Sequence, residues 1–175
     1  MELQPATQLS LMLYEEYGAR GAMRQRVRHA EGAVHRNNRT VSYREAEQSH
    51  MDAFRAEGAA WTFFPHAEWH NGELPAGHKL PDIGSFIDAK HIRQSWHKLL
   101  LPADGKGMPD WAYLLVLELP DCWFRMMGWA WGWQLMEVTP YEFQPGRPAH
   151  WLSPTMPPLY PIRDLQLIES WKRNP

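Results

Sequence analysis

The stretch Pro81-Asp82-Ile83-Gly84-Ser85-Phe86-Ile87-Asp88-Ala89-Lys90 decides the reading of this chain. Gly84-Ser85 is a turn signal between two short apolar runs, so the segment is expected to bend near Gly84 to Phe86 and return on itself. In such a hairpin Asp82 lies almost opposite Asp88, with Cβ atoms about 5 Å apart. Side chains alternate along a strand, so Asp88 and Lys90 share a face and Ala89 points the other way. Two carboxylates this close repel each other, and the usual remedy is a hard divalent cation such as Mg²⁺ or Mn²⁺ held by oxygen ligands. A cation of that kind can orient a phosphodiester and lower the pKa of an attacking water, with Lys90 neutralising developing charge or helping to activate that water.

Upstream, Ser42 and Glu45 have the spacing of a capping box, and the following residues are rich in Ala, Glu, Met and Arg. A helix is predicted over 43–62, with Ala46, His50, Phe54, Glu57 and Trp61 on one stripe, so that a carboxylate sits among apolar neighbours. Further upstream, Leu9 to Arg28 reads as one or two helices with a break near Gly18 and Gly21. Seven arginines lie between Arg20 and Arg44 against the single acid Glu31, a local balance of +6 in a chain whose net charge is -2. Arg24, Arg28, Arg36 and Arg39 are candidate phosphate contacts, and Gln94 is a candidate substrate contact beyond the hairpin.

Downstream, strands are expected over 98–101, 112–119 and 122–133, with Leu119-Pro120-Asp121 linking the last two as a hairpin. The proline-rich tail from Pro140 to Pro161 is expected to wrap without regular elements, and Ile162 to Trp171 to close as a short helix. Trp129, Trp131 and Trp133 alternate as on one strand face, which suits buried core or, less simply, a stacking platform for bases.

Taken together, His50-Met51-Asp52-Ala53-Phe54-Arg55-Ala56-Glu57, Asp82-Ile83-Gly84, Asp88-Ala89-Lys90, Tyr113 to Leu117 and Met127-Gly128-Trp129-Ala130-Trp131-Gly132 resemble the PD-(D/E)XK, or restriction-endonuclease-like, nuclease superfamily. The similarity is closest to small nuclease-like proteins encoded by bacteriophages, and it covers about residues 42–165. The resemblance implies an α/β fold: a single domain over 42–175 with a mixed central sheet flanked by helices, preceded by an arginine-rich helical extension over 1–41. It also implies metal binding by Glu57, Asp82 and Asp88, catalysis by these residues with Lys90, and DNA as the substrate. A catalytically silent nuclease fold that binds nucleic acid or a protein partner in a phage or host-defence assembly is the alternative.

Composition bounds the remaining classes. At 175 residues, 44% hydrophobic and 22% charged, the chain can bury one core. Cys122 is the only cysteine, so there is no internal disulfide and no cysteine zinc cage, and a cytoplasmic setting is expected. No window has the roughly 18 apolar residues of a membrane span. His66, His70 and His78 could form a zinc site, but the spacing is not His-Glu-x-x-His and the surrounding Pro, Asn and Gly residues read as a loop.

Overall fold

The computed structural model describes residues 5–30, 42–70, 80–105, 107–154 and 159–173. Among these residues the chain is mixed α/β, with four helices and two sheets. The order is β1 (Ala6–Gln8), α1 (Leu11–Ala30), α2 (Tyr43–Trp61), β2 (Ile87–Ile92), β3 (Leu99–Pro102), β4 (Ala112–Glu118), β5 (Trp123–Trp131), α3 (Gly132–Glu137), β6 (Tyr141–Gln144), β7 (Arg147–Leu152) and α4 (Ile162–Arg173). One sheet is mixed, ordered β1-β5-β4-β2, with β2 and β4 parallel; the other is antiparallel, ordered β3-β7-β6. No helix among the described residues is long and apolar enough to cross a membrane.

The mixed sheet is the middle layer. On one side, Ile87, Ala89, Leu114, Val116, Phe124 and Met126 pack with Tyr17, Ala56, Ala59, Ala60 and Leu165 of the helices. On the other, Ile92, Tyr113, Leu115 and Leu117 pack with Leu99, Leu101 and Leu152 of the second sheet and Leu135 of α3. β4 is therefore buried on both faces, which explains its unbroken apolar run Tyr113 to Leu117.

α2 begins as its sequence dictates: the Ser42 hydroxyl accepts from the Glu45 N–H at 3.3 Å, and the Glu45 carboxylate accepts from the Ser42 N–H at 2.7 Å. α1 is continuous through Gly18 and Gly21, where a break was the alternative. These glycines serve the crossing with α2: a Cβ at Gly21 would stand 2.5 Å from the His50 carbonyl oxygen, and one at Gly18 would strike the Arg55 guanidinium. The N-terminal residues also extend the sheet, since β1 pairs antiparallel with β5 and the Leu9 N–H donates to the Cys122 carbonyl at 3.1 Å. The β4–β5 link is the expected hairpin, turned by Asp121 and Cys122 at φ 58° and 61°. Gln8 supports that turn by donating to the Asp121 carbonyl at 3.0 Å.

Two expectations are corrected. The tail between Pro140 and Pro161 contains the β6–β7 hairpin; Pro148 sits in β7, and Gly146 takes φ 72° in the connecting turn. The strand expected through Trp133 ends at Trp131, and Trp133 stands exposed on α3 rather than sharing a strand face with Trp129 and Trp131. Trp129 is buried core: its backbone pairs with Tyr160 and its indole N–H donates to the Pro161 carbonyl at 2.9 Å. Gly128, at φ 128°, lets this part of the tail approach, because a Cβ there would lie 2.6 Å from Leu159.

Candidate metal and nuclease site

The Asp82 to Lys90 segment folds back as its residues imply. Gly84 adopts φ 58°, and Ile83 and Ile87 exchange backbone hydrogen bonds of 2.9 and 3.1 Å. With Ile83 paired to Ile87, Asp82 falls opposite Asp88. The turn is held from outside by the third chain segment in the region: the His70 N–H donates to the Asp82 carbonyl at 2.8 Å, and the His70 ring nitrogen Nε2 lies 2.8 Å from the Gly84 carbonyl.

Each carboxylate then has a different partner. Asp82 Oδ2 accepts the Ala89 N–H at 2.8 Å. Asp88 receives the Lys90 ammonium on both oxygens, at 2.8 and 2.7 Å. Burial, then the charges of Glu57 and Asp88, hold the Asp82 carboxyl well above the ordinary range, with a direct hydrogen bond to Asp88 acting in the same direction. Burial alone would ease the proton off Lys90, but Asp88 first and Asp82 second outweigh it and raise the ammonium's pKa. Lys90 is therefore a held cation rather than a base.

Glu57 enters from α2. It is 5% exposed, and its Oε2 has no hydrogen-bond partner. Desolvation raises its pKa from 4.5 to about 7; Asp88 adds to the rise, while Arg24, Lys90 and the nearby Trp69 indole N–H oppose it. An unpartnered buried carboxylate oxygen is expensive unless a proton or a cation reaches it. The stripe read from the sequence thus faces inward, and Glu57, Asp82, Asp88 and Lys90 share one electrostatic neighbourhood. Asp88 and Lys90 pair across β4 with Tyr113 and Leu115, so they project toward the second-sheet side of β2, while α2 packs on the Ile87 and Ala89 side.

The opposite face of β2 carries a second polar cluster. There His91 Nε2 lies 2.8 Å from Glu118 Oε2, and Arg93 lies 2.5 Å from Asp52 of α2. Tyr14 donates to Glu118 at 2.7 Å and Gln48 to Asp52 at 2.7 Å. Burial works against ionisation of Glu118, yet the bonds from His91 and Tyr14 hold its pKa below the ordinary range. Asp52, His91 and Glu118 are also the described trio whose potential metal-ligating atoms all lie within 4.8 Å of one another. Glu57, Asp82 and Asp88 do not close to that limit. In the Asp52 cluster, however, Arg93 and Arg55 already match the acidic charge, Arg55 at 3.6 Å from Asp52. It is a compensated network tying α2, β2 and β4 together. Of its members, Asp52 lies in the helix motif quoted above, whereas neither His91 nor Glu118 carries a periodic or motif signal in the sequence.

The remaining candidates separate. Arg24 is half-buried, 5.4 Å from the Phe54 ring centre, and faces the Glu57 region rather than forming an open phosphate surface. The Arg28 side chain, Arg36 and Arg39 lie outside the described residues, as does His78. Gln94 lies past the end of β2 in an exposed turn, where its carbonyl accepts the His97 N–H at 3.0 Å. His66 is exposed and His70 is engaged with Gly84, which is the loop role expected of them.

No family model matches the chain, no curated protein matches its sequence, and no solved structure matches its fold.

Proposed function

We propose that the chain is a divalent-cation-dependent nuclease, in which Glu57, Asp82 and Asp88 hold Mg²⁺ or Mn²⁺ and Lys90 is the catalytic ammonium. The observation that supports the reading is the electrostatic coupling of three acids, from helix, turn and strand, to one another and to Lys90, with a buried Glu57 oxygen left unpartnered. Three carboxylates against Lys90 and the nearby Arg24 leave one negative charge uncompensated. Burial first, and the neighbouring carboxylates second, raise the proton affinities of Glu57 and Asp82, and a hard cation with oxygen ligands would offset both costs. When bound, such a cation supplies charge stabilisation at phosphorus and a more acidic water.

The chain's own groups do the rest. Asp88 keeps Lys90 protonated and points its ammonium where negative charge develops on a phosphoryl oxygen. Asp82 is fixed by the Ala89 N–H, so its position is set by the strand backbone rather than by a flexible side chain. The role of DNA as substrate follows from the resemblance of the motif residues to PD-(D/E)XK nucleases.

The test is incubation with supercoiled plasmid DNA and Mg²⁺ or Mn²⁺. Wild type is expected to nick the plasmid, and Asp88→Asn and Lys90→Ala to reduce the rate by about 100-fold or more. Intact DNA with wild type and variants alike, together with a retained band shift, would instead establish a silent binding protein.

A further inference from the structure

The second sheet presents an aromatic face that the candidate nuclease site does not use. Leu100 pairs with Trp151, and Tyr141 with Ala149, so these four side chains emerge on the same side of the β3-β7-β6 sheet. The opposite side carries the buried Leu99, Leu101 and Leu152. Phe143 joins the outer set, its ring centre 4.8 Å from that of Tyr141 and 6.2 Å from that of Trp151. Tyr141 is 60% exposed and Phe143 39%. Lys98 lays its ammonium 3.5 Å from the Trp151 ring centre and 5.2 Å from that of Phe143. It makes no ion pair with a described residue. The acid on this hairpin, Glu142, is drawn into the turn by the Gly146 N–H.

We propose that this face binds unpaired nucleic-acid strands, with bases stacking on Tyr141 and Phe143 and a backbone phosphate meeting Lys98. The argument is charge and shape complementarity together. Exposed rings on a rigid sheet offer stacking surface to any base, and the cation fixed among them is unmatched by any described carboxylate, whereas an apolar protein partner would bury that ammonium without compensation. A duplex has no exposed base faces and cannot use the rings. The surface stands apart from hydrolysis, so its success or failure is read separately from that of the proposed nuclease site.

The experiment is fluorescence anisotropy of a labelled oligothymidylate of about 15 nucleotides, which spans a typical single-strand site, titrated with the full chain in EDTA so that no cleavage intervenes. Wild type is expected to bind. Tyr141→Ala combined with Phe143→Ala should weaken binding about tenfold or more, and Tyr141→Ala alone, at an open surface position, should weaken it measurably. Lys98→Gln should flatten the salt dependence by the share of about one phosphate contact. Trp171→Ala, a more exposed aromatic on α4, should change nothing. The proposal is overturned if wild type does not bind, if the aromatic variants bind as wild type does, or if a duplex of equal length displaces the probe as well as a single strand.

Discussion

Replacing Glu57 by Gln isolates the electrostatic cost of the candidate site. Glu57 has its pKa raised from 4.5 to about 7, chiefly by burial. For a carboxyl, a raised folded-state pKa means that the folded chain holds the proton more tightly than the unfolded one. Stability is then full below about 4.5 and falls as pH rises toward 7. At about 1.4 kcal/mol per tenfold change in acidity, the ionised side chain lowers stability by roughly 3 kcal/mol at pH 8. Glu57→Gln keeps the shape and cannot ionise, so it should match wild type within about 1 kcal/mol at pH 4.5 and exceed it by about 2 to 3 kcal/mol at pH 8. Urea unfolding at several pH values, followed by far-ultraviolet circular dichroism, reads the difference. Adding Mn²⁺ at pH 8 should recover the deficit in wild type and do little for the variant, because a cation stabilises only the form that binds it. A stability difference that is the same at pH 4.5 and pH 8, or a variant less stable than wild type at pH 8, would refute the reasoning.

Three further outcomes are expected. Gly21→Ala should destabilise the chain by about 2 kcal/mol, seen as a lower Tm, because the new Cβ presses on the His50 carbonyl where α1 crosses α2. Asp52→Ala should destabilise it by about 3 kcal/mol in urea unfolding, since Arg55, 8% exposed and lying over the Tyr14 ring at 3.8 Å, loses its acidic partner. Trp133→Ala should leave Tm within about 1 kcal/mol equivalent of wild type while Trp129→Ala lowers it by about 3 kcal/mol or more, separating the exposed helix residue from the core one.

What the sequence revealed was local. The capping box at Ser42 and Glu45 involves neighbours in the chain, and both of its hydrogen bonds are present. The Asp82 and Asp88 pairing depends on one turn at Gly84, whose glycine takes the left-handed conformation its position requires. What stayed hidden depends on distant partners. Nothing near Glu118 announces His91, which arrives from the parallel neighbour strand. Gly132 resembles strand continuation until Met108 is seen crowding it, and the chain turns there into α3 instead. The prolines of the tail masked a hairpin that Pro145-Gly146, flanked by alternating Tyr141, Phe143, Ala149 and Trp151, could have signalled.

The most direct measurement is a crystal structure of the chain soaked in Mn²⁺ at pH 8, with the ion located by its anomalous scattering. A single strong peak bounded by the carboxylates of Glu57, Asp82 and Asp88 and next to Lys90, absent from crystals of Asp88→Asn, is the expected result. A peak among Asp52, His91 and Glu118 with none at the Asp82–Asp88 turn, or no peak at either cluster, would contradict the account.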